Sequence, residues 1–418
     1  MQRSLAFAAM GRVCPAGVCL RGFSMRIESG VARDAAPLHE SAIGFSAAER
    51  NAMREAIRLA RRGVGGTHPN PRVGAVVLAE GRVAARGWHA RAGEAHAEVS
   101  ALDDAGGQAR GATLVVTLEP CAHHGRTPPC VDSILASGVR RVVIGMVDPN
   151  PVVDGRGIES LRAAGLDVAV GALEAECRTL NGPYLKALAT GLPWVTLKAM
   201  LSLDGRIATD GGDSRGLGGA AEQRLCHRLR AEHDAVLIGR GTLLADDPLL
   251  TVRLARGRTP WRVVLDSALR IPESAAILGT TAEAPLIVAT VATTTSASSR
   301  VAALEERGAR VWRFDADAAG QVPLRPLLER LASEGRYALL VEGGAAVHTS
   351  FLREGLADGV AVGIAPLLVG GSTSRSWTGD LGRARLSDAI EIESLRFRRV
   401  GRDLWIEGTI RVPEPVHV

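Results

Sequence analysis

The sequence predicts an α/β protein built in two successive parts. Strand-like apolar runs alternate with amphipathic helical segments along both halves of the chain, which is typical of α/β folds. A helix-to-loop connection around Asn181–Pro193 separates the two halves. The chain has 418 residues, of which 46% are hydrophobic and 23% charged. This composition fits a globular protein whose core is large enough to fold without disulfides.

Three regions follow from this organisation. We expect residues 46–190 to form one domain and residues 191–414 to form a second. Residues 1–45 lack periodic structure, and we interpret them as a disordered extension or as the result of a misplaced start codon. Arg12 and Arg21 interrupt the mildly apolar N-terminus, which argues against a signal peptide.

The first domain is predicted to start with a capped helix. Ser46 followed by Glu49 has the pattern of a capping box, and apolar residues then recur at helical spacing. Strands rich in Val and Leu and short helices alternate after it. The predicted strands are VGAVVL, GRVAARGWH, ATLVVTLEP, RRVVIGMVDP and LDVAVGA, and the predicted helices are HAEVSALDDA, VDSILASG and GIESLRAAG.

The second domain begins with the strand WVTLKAML and ends with several strands close together in sequence. One helix, LRPLLERLAS, has a clear apolar face. The further predicted strands are WRVVLD, APLIVAT, ARVWRF, YALLVEGG, GVAVGIAPLLV, SLRFRRVG and DLWIEGTIRV.

The charge pattern does not favour a nucleic-acid partner. The formal net charge is +5 and the pI is about 9.1, but the basic residues are dispersed and only Lys186 and Lys198 are lysines. Aromatic residues make up 3% of the chain, which leaves little material for stacking on bases. No apolar run reaches about 18 residues, so no membrane partner is expected either.

The cysteines indicate a reducing, cytoplasmic compartment. The chain contains six cysteines, and they form no dense framework. In such a compartment a local pair of cysteines more often binds metal or takes part in chemistry. We interpret Cys14 and Cys19 as incidental and Cys177 and Cys226 as buried thiols. A homo-oligomer is left open, because no motif sets the oligomeric state.

One constellation has the residue types of a catalytic zinc site. His96 and Glu98 stand at the start of a predicted helix, and Cys121 and Cys130 follow downstream. Zinc deaminases use a His and two Cys as ligands, while a Glu two residues after the His transfers protons. Three protein ligands leave a fourth position for water, whose pKa the metal lowers towards neutrality. A structural zinc loop and a redox pair are the alternatives.

Other side chains near this constellation have open roles. His123, His124 and Arg126 lie between the two cysteines. They could line the substrate pocket or face solvent, and either histidine could replace a cysteine as a metal ligand. Asn70, in a turn between two prolines, is a candidate hydrogen-bond donor to the substrate, and an ordinary turn residue is the alternative reading.

Longer motifs point to a family. THPNPRVG (67–74), the His96-Ala97-Glu98 triplet, TLEPCAHHGRTPPC (117–130) and DPNPVVDGRG (148–157) resemble the deaminase half of the bifunctional riboflavin-biosynthesis deaminase–reductase family. Eight residues separate the two cysteines, and this spacing is normal in that family. The resemblance implies a cytidine-deaminase-like αβα domain with zinc ligands His96, Cys121 and Cys130 and with Glu98 as the catalytic proton shuttle.

The second half resembles the reductase half of the same family. The motifs are LKAMLSLDGRIA (197–208), LRAEHDAVLIGRGTLLADDPLLTVR (229–253) and LLVEGGAAVHTSFL (339–352). The resemblance implies a dihydrofolate-reductase-like α/β domain that uses NADPH. The residues themselves are compatible with phosphate binding, because VEGG joins a strand to a helix whose first N–H groups are unpaired.

The resemblance also implies contacts in the reductase domain. Lys198 and Asp246 are candidates for polar assistance to hydride transfer, with a structural salt bridge as the competing interpretation. Substrate contacts are implied at Ser214, Arg230, Leu250, Arg253 and Glu342. NADP contacts are implied at Thr242, Asp246, Ser267, Gly344, Ala345, Ala346, Val347, His348, Thr349 and Ser350.

The implied function is two consecutive steps of riboflavin biosynthesis. Zinc hydroxide deaminates 2,5-diamino-6-(5-phosphoribosylamino)pyrimidin-4-one, and NADPH then reduces the ribosyl group of 5-amino-6-(5-phosphoribosylamino)uracil to ribityl. One departure bears on the second step: Gly216 stands where the family has a Trp that contacts the cofactor. This departure leaves an impaired reductase as one alternative. Two further alternatives concern the zinc constellation: a deaminase acting on tRNA or a nucleobase, and a non-catalytic zinc module.

Overall fold

The structure is a computed structural model that describes residues 44–124, 128–292 and 297–411. Almost all of the predicted extension, residues 1–45, therefore lies outside the described residues. Residues from Phe45 onward form one compact unit. Within it one sheet precedes residue 190 and a larger sheet follows it, and the domain limits 46–190 and 191–414 stay predictions.

The first half folds around a five-stranded sheet with the strand order β2-β1-β3-β4-β5. Strand β1 pairs antiparallel with β2 and β3, whereas β3, β4 and β5 run parallel. The strands are β1 (Gly74–Ala79), β2 (Arg82–Trp88), β3 (Thr113–Val116), β4 (Arg141–Ile144) and β5 (Asp167–Val170). The helices are α1 (Ala47–Ala60), α2 (Ala97–Ala105), α3 (Cys130–Ser137), α4 (Arg156–Ala163), α5 (Glu174–Leu180) and α6 (Gly182–Thr190).

Alternating strand residues pack into two separate cores. In β1, Val77 faces α2, α3 and α4, whereas Val76 faces α1 and α5. Successive side chains of a strand point to opposite faces of its sheet, so the sheet is covered on both sides. This is the predicted αβα layering. The predicted capping box is also confirmed, because Glu49 N–H donates to Ser46 Oγ and Ser46 N–H donates to Glu49 Oε2.

The second half contains a nine-stranded sheet with the order β11-β10-β9-β8-β12-β6-β13-β16-β15. Its strands run parallel except for the antiparallel ladders of β16 with β13 and β15. They are β6 (Trp194–Ser202), β8 (Ala235–Gly239), β9 (Trp261–Leu265), β10 (Leu286–Val291), β11 (Ala309–Phe314), β12 (Ala338–Val341), β13 (Gly359–Ala365), β15 (Ile392–Val400) and β16 (Asp403–Ile410). A separate two-stranded sheet pairs β7 (Arg206–Ala208) with β14 (Arg375–Ser376).

Five helices connect these strands, and two of them begin where a central strand ends. Helix α8 follows β8 directly, and α11 follows β12 after Glu342 and two glycines. Ligands of parallel α/β sheets bind at the carboxyl ends of the strands, so these two helix starts mark the expected site. The helices are α7 (Ala220–Glu232), α8 (Arg240–Asp246), α9 (Ala297–Glu306), α10 (Leu324–Ser333) and α11 (Ala345–Arg353).

Short 3-10 helices complete the secondary structure at Arg61–Gly63, Gly106–Ala109, Ala276–Thr280 and Leu386–Asp388. A search of the described residues finds no helix with the length and apolar character needed to cross a membrane.

Candidate active sites

The first site brings His96, Cys121 and Cys130 together. His96 is the N-cap residue of α2, and Cys130 is the first residue of α3. His96 Nδ1 lies 2.9 Å from Cys130 Sγ and 3.6 Å from Cys121 Sγ, and the two sulfur atoms are 3.5 Å apart. Residues that are 34 positions apart in sequence therefore present one compact set of ligand atoms.

These atoms suit a tetrahedral zinc ion. Zn–S and Zn–N bonds of normal length place neighbouring ligands roughly 3.6–3.8 Å apart. Two of the three observed separations are close to this range, and the third is shorter. Two thiolates and one imidazole leave a fourth position for water or substrate, which is the ligand set of a catalytic zinc site.

Electrostatics at the ligand set favour a thiolate at Cys121. The neighbouring Cys130 thiol and the His96 ring, both within hydrogen-bonding distance of its sulfur, lower the pKa of Cys121. The Cys130 backbone N–H, at the start of α3, also points at Cys121 Sγ from 3.4 Å. A thiolate is the form that binds a metal ion.

Glu98 lies in the first turn of α2 and lines the same cavity as His96. It is 3% exposed, and this burial raises the pKa of its carboxyl group to about 7. A carboxyl group with a pKa near neutrality can both accept and release a proton in one catalytic cycle. Its position and its burial agree with the predicted proton shuttle.

A cavity of about 420 Å³ opens onto this ligand set. Asn70 lines it, and its Nδ2 lies 3.1 Å from His89 Nε2. His89 Nδ1 lies 3.1 Å from the Ala95 carbonyl oxygen, so Nδ1 carries the proton and Nε2 accepts from Asn70. Burial lowers the pKa of His89, in agreement with this neutral tautomer. Asn70 is thus held at the cavity wall by His89.

The residues between the two cysteines differ in position. His123 lines the cavity, and its Nδ1 is buried with no hydrogen-bond partner among the described residues. His124 is exposed and is not part of the lining. Arg126 falls outside the described residues.

Glu119, which was not predicted as a site residue, organises the loop that forms one cavity wall. Its buried carboxylate accepts four backbone N–H groups, from Asp148, Gly155, Gly157 and Ile158. Four such bonds fix the chain between β4 and α4 in one conformation. The signal was available in part, because Glu119 directly precedes the Pro-Cys pair and this loop carries the DPNP motif.

The same loop presents two further side chains that were missed. Asp148 and Asn150 line the cavity together with Tyr184 of α6. The Tyr184 hydroxyl donates to Asp148 over 3.1 Å, and Asn150 Nδ2 donates to the Tyr184 hydroxyl over 3.3 Å. This chain of hydrogen bonds ties the loop to the last helix of the first half.

The second site is a cavity of about 530 Å³ where β8 and β12 end. Most of the predicted reductase residues line it. They are Lys198, Ser214, Arg230, Thr242, Asp246, Leu250, Glu342 and the stretch from Gly344 to His348. Gly239 and Gly343 pack against Val347 so closely that a Cβ atom at either position would lie 2.8 or 2.7 Å from its side chain.

Buried charges surround the inner end of this cavity. Arg230 forms a two-point ion pair with Glu342, with N–O distances of 2.6 and 2.9 Å. Burial opposes the charge on Glu342, but the Arg230 guanidinium lowers the pKa of that carboxyl to about 2. Lys198 Nζ lies 3.0 Å from Glu222 Oε1. Glu222 also accepts a hydrogen bond from Cys226, whose thiol pKa burial raises to about 12.

Lys198 therefore combines the two interpretations offered for it. It forms a salt bridge, and it also lines the cavity. Burial would lower its pKa, but the carboxylates of Glu222 and Glu342 raise that pKa above the ordinary value of a lysine. A cationic ammonium group is thus available at the cavity wall.

Four predicted contact residues do not line this cavity. Arg253 donates to Thr251 Oγ1 over 2.6 Å, and Ser267 Oγ accepts from Val322 N–H over 3.1 Å. The hydroxyls of Thr349 and Ser350 donate to carbonyl oxygens within α11. Their predicted contacts stay predictions.

Gly216, the departure from the family pattern, is also absent from the cavity lining. Its φ of 80° lies in the left-handed region, which favours glycine. Its carbonyl oxygen accepts a hydrogen bond from Arg402 over 2.9 Å. Arg375 of β14 lines the cavity and was not predicted, because a short strand far along the chain gives no local signal of this contact.

Comparison with known proteins finds one family model in each half of the chain. The family model for the cytidine and deoxycytidylate deaminase zinc-binding region matches residues 46–146. The family model for the RibD C-terminal domain matches residues 193–406. The first match contains all three proposed zinc ligands, and the second contains the whole second cavity.

Relatives match over nearly their full length. The riboflavin biosynthesis protein RibD of Aquifex aeolicus (strain VF5) is 42% identical over 359 residues, which cover 86% of this chain and 97% of the relative. That of Escherichia coli (strain K12) is 40% identical over 373 residues, covering 85% of this chain and 97% of the relative.

Solved structures of RibD proteins have the same fold over most of this chain. Acinetobacter baumannii RibD superposes with a TM-score of 0.77 at 35% identity, covering 87% of this chain and 99% of that one. The Thermotoga maritima diaminohydroxyphosphoribosylaminopyrimidine deaminase/5-amino-6-(5-phosphoribosylamino)uracil reductase gives 0.74 at 34% identity, with the same coverage. With a cytidine-deaminase-like half followed by a dihydrofolate-reductase-like half, the chain belongs to the RibD family of bifunctional deaminase–reductases of riboflavin biosynthesis.

Proposed function

We propose that the first cavity hydrolyses the 2-amino group of 2,5-diamino-6-(5-phosphoribosylamino)pyrimidin-4-one. The observation that carries this proposal is the position of Glu98 in the cavity lined by His96 and Cys121, whose ligand atoms are grouped with that of the buried Cys130. Those three residues would hold zinc. When bound, zinc acts as a Lewis acid that lowers the pKa of water from 15.7 to about 7. The reaction exchanges one C–N bond for one C–O bond and releases ammonia.

The proton transfers belong to Glu98. Its carboxylate takes one proton from the attacking water and gives it to the ring nitrogen. It then takes the second proton, from the hydroxyl group newly bonded to the ring carbon, and gives it to the departing amine. Burial supports this role, because it raises the pKa of the Glu98 carboxyl group to about 7, close to the pH at which the enzyme works. The N-terminal turn of α2 holds Glu98 and His96 two residues apart, so the proton carrier and one ligand move as one unit.

Polar side chains on the cavity wall orient the pyrimidine. Asn70, fixed by His89, offers its amide group, and Asn150, fixed by Tyr184, offers a second one. Amides carry both donors and acceptors, which is what a ring with amino and carbonyl substituents requires. His123, whose buried Nδ1 has no hydrogen-bond partner in the described part of the chain, supplies a third polar contact.

We propose that the second cavity binds NADPH and reduces the ribosyl group of 5-amino-6-(5-phosphoribosylamino)uracil to ribityl. The nine-residue helix α11 begins after Gly344, and its first backbone N–H groups and positive dipole end favour a phosphate group. Val347 packs against Gly343 and Gly239 so closely that a side chain at either turn would clash with it. When bound, NADPH supplies the hydride.

The inner charges of this cavity hold the second substrate. Lys198 presents a cation, and Glu342 remains ionised because Arg230 pairs with it. Ser214, which donates to Asp246 over 3.3 Å, and Leu250 complete the proposed substrate contacts. The family resemblance implies one further substrate contact, at Arg253. It implies NADP contacts at Thr242, Ser267, Thr349 and Ser350.

We further propose a cytoplasmic location and a homo-oligomeric state. The four cysteines within the described residues are all free of disulfides, which suits a reducing compartment. Strand β15 lies at the edge of the large sheet with Phe397 and Leu395 exposed, and an exposed apolar edge strand favours pairing with another chain. Size-exclusion chromatography with light scattering tests the oligomer.

A coupled assay tests both reactions together. Purified enzyme with bound zinc receives the diaminopyrimidine substrate and NADPH, and ammonia release and NADPH oxidation are followed in parallel. We expect ammonia release without NADPH and NADPH oxidation only after deamination. Ammonia release with no NADPH oxidation, even on the deaminated substrate, would contradict the reductase assignment and would point to Gly216. Transfer RNA as the substrate should give no ammonia.

A further inference from the structure

The wall of the deaminase cavity includes a residue from the reductase half. Among the described residues, those lining this cavity lie between Pro69 and Leu188, with one exception, Tyr337. Tyr337 directly precedes β12, the strand at the centre of the large sheet. The first cavity is therefore incomplete without the second half of the chain.

Tyr337 is fixed in place from the reductase side. Asp234 Oδ2 accepts the backbone N–H groups of Tyr337 and Ala338 at 2.9 and 3.0 Å. Asp234 Oδ1 accepts from Arg258 over 3.2 Å, and the Asp234 side chain is fully buried. A buried carboxylate with three donors leaves the start of β12 little freedom to move.

Contacts from the deaminase side hold the same loop. The His68 ring meets the Tyr337 ring edge to face, with 6.3 Å between centroids. A Cβ atom on Gly335 would lie 3.2 Å from Pro69 Cβ, so the backbone at Gly335 packs closely against the Pro69 ring. Arg72 donates to the Glu232 carbonyl oxygen over 3.3 Å. The turn that carries Asn70 is thus packed against the loop that carries Tyr337.

The cavity is larger than the reacting ring requires. Its volume of about 420 Å³ falls in the range of pockets for complete small ligands, roughly 300–1,000 Å³. The pyrimidine must lie at His96, Cys121 and Glu98, where the chemistry takes place. Tyr337 meets the His68 ring, which directly precedes Pro69 of the cavity wall.

We propose that Tyr337 binds the phosphoribosyl arm of the deaminase substrate, so that the reductase half supplies part of the deaminase specificity. This inference rests on the proposed deaminase function. An aromatic ring offers a flat apolar face to a sugar, and its hydroxyl can exchange hydrogen bonds with sugar or phosphate oxygens. Tyr337 is half-buried, so its ring is both held and accessible.

The test compares Tyr337→Ala and Tyr337→Phe with the wild-type full-length enzyme. For Tyr337→Ala we expect a KM for deamination about tenfold higher, equivalent to ~1.4 kcal/mol. The kcat, the zinc content and the reductase kinetics on the deaminated substrate should not change. The inhibition constant of 2,5,6-triaminopyrimidin-4-one, which lacks the arm, should also be unchanged. Tyr337→Phe should show a smaller rise in KM, since it keeps the ring.

Arg336→Ala is the matched control. The Arg336 guanidinium lies 4.6 Å from the centre of the Trp261 ring and does not line the cavity. The substitution therefore perturbs the same loop without removing a residue from the cavity wall. An unchanged KM in Tyr337→Ala, an equal rise in Arg336→Ala, or an equal weakening of the arm-less inhibitor would each overturn the proposal. Absence of ammonia release by the wild type would instead overturn the deaminase function itself.

Discussion

Tyr337 and Glu342 stand at opposite ends of one buried four-residue strand. Strand β12 separates them, and Tyr337 lines the deaminase cavity while Glu342 lines the reductase cavity. At about 3.3 Å per residue, their Cα atoms are roughly 17 Å apart. Both neighbours of β12 in the sheet, β6 and β8, pair with it in parallel. A shift of this strand would therefore displace a wall residue in both active sites at once.

Glu98→Gln should abolish deamination selectively. The amide is nearly isosteric but cannot carry the proton, so ammonia release should fall by about 10²–10⁴-fold. Zinc content and NADPH oxidation on the deaminated substrate should match those of the wild type. Glu94→Gln is the control, since Glu94 is an exposed glutamate on the wall of the same cavity. Unchanged ammonia release in Glu98→Gln would rule out the proton-shuttle role.

Cys121→Ser and Cys130→Ser should each lower the zinc content, measured by elemental analysis of the purified protein. Losing one of three protein ligands removes a thiolate that a serine hydroxyl does not replace at neutral pH. Deamination should be lost with the metal, whereas NADPH oxidation on the deaminated substrate should persist. Cys177→Ala, at a buried thiol next to Met53, is the control and should retain zinc. Full zinc occupancy in both serine variants would contradict the ligand assignment.

The sequence predicts well what local patterns encode. The capping box of Ser46 and Glu49 needs only four residues, and it appears in the structure as expected. The zinc constellation was also predicted, because His96 and Cys130 stand at the N-termini of two recognisable helices. Helical and strand periodicities fix where such termini fall, and the side chains at the termini follow.

Long-range contacts were not predicted. The four amides that meet Glu119 lie 29 to 39 residues away from it. Tyr337 reaches a cavity formed by a segment more than a hundred residues earlier in the chain. Nothing in the surrounding sequence marks either residue, since a glutamate after a strand and a tyrosine before one are ordinary. Only the packing of the complete fold gives them their positions.

The Arg230–Glu342 pair should be strongly coupled. Glu342→Gln leaves a buried guanidinium without its counter-charge, which costs about 3–5 kcal/mol of unfolding free energy. The double variant Arg230→Gln/Glu342→Gln should lose less than the sum of the two single variants, because no unpaired charge remains. Urea denaturation of the four proteins measures the coupling.

The exposed pair of Arg178 and Glu174 provides the reference for the Arg230–Glu342 cycle. Its side chains are 55% and 48% exposed, so Arg178→Gln should change the unfolding free energy by less than about 0.5 kcal/mol. Reductase KM should rise in the Glu342 variants and stay constant in Arg178→Gln. Strict additivity of the two single changes at Arg230 and Glu342 would contradict the proposed pairing.

His68 should make the stability of the protein depend on pH. Its Nδ1 lies 3.2 Å from Asp234 Oδ2, without hydrogen-bond geometry. Burial, together with the charges of Arg72, Arg258 and Arg336, lowers the pKa of His68 to about 3. The unfolded chain takes up this proton near pH 6.5 and the folded chain does not. The stabilisation is therefore complete above pH 6.5 and is lost as the pH falls towards 3.

His68→Gln removes this dependence. Between pH 7.5 and pH 5 the wild type should lose about 2 kcal/mol more unfolding free energy than the variant, from 1.36 kcal/mol per pKa unit over roughly 1.5 units. Burial raises the pKa of Asp234 to about 6, and this contribution is common to both proteins. His124→Gln, at an exposed histidine, should follow the wild type. If acidification instead stabilises the wild type relative to His68→Gln, His68 is charged in the fold and pairs with Asp234 as an ion.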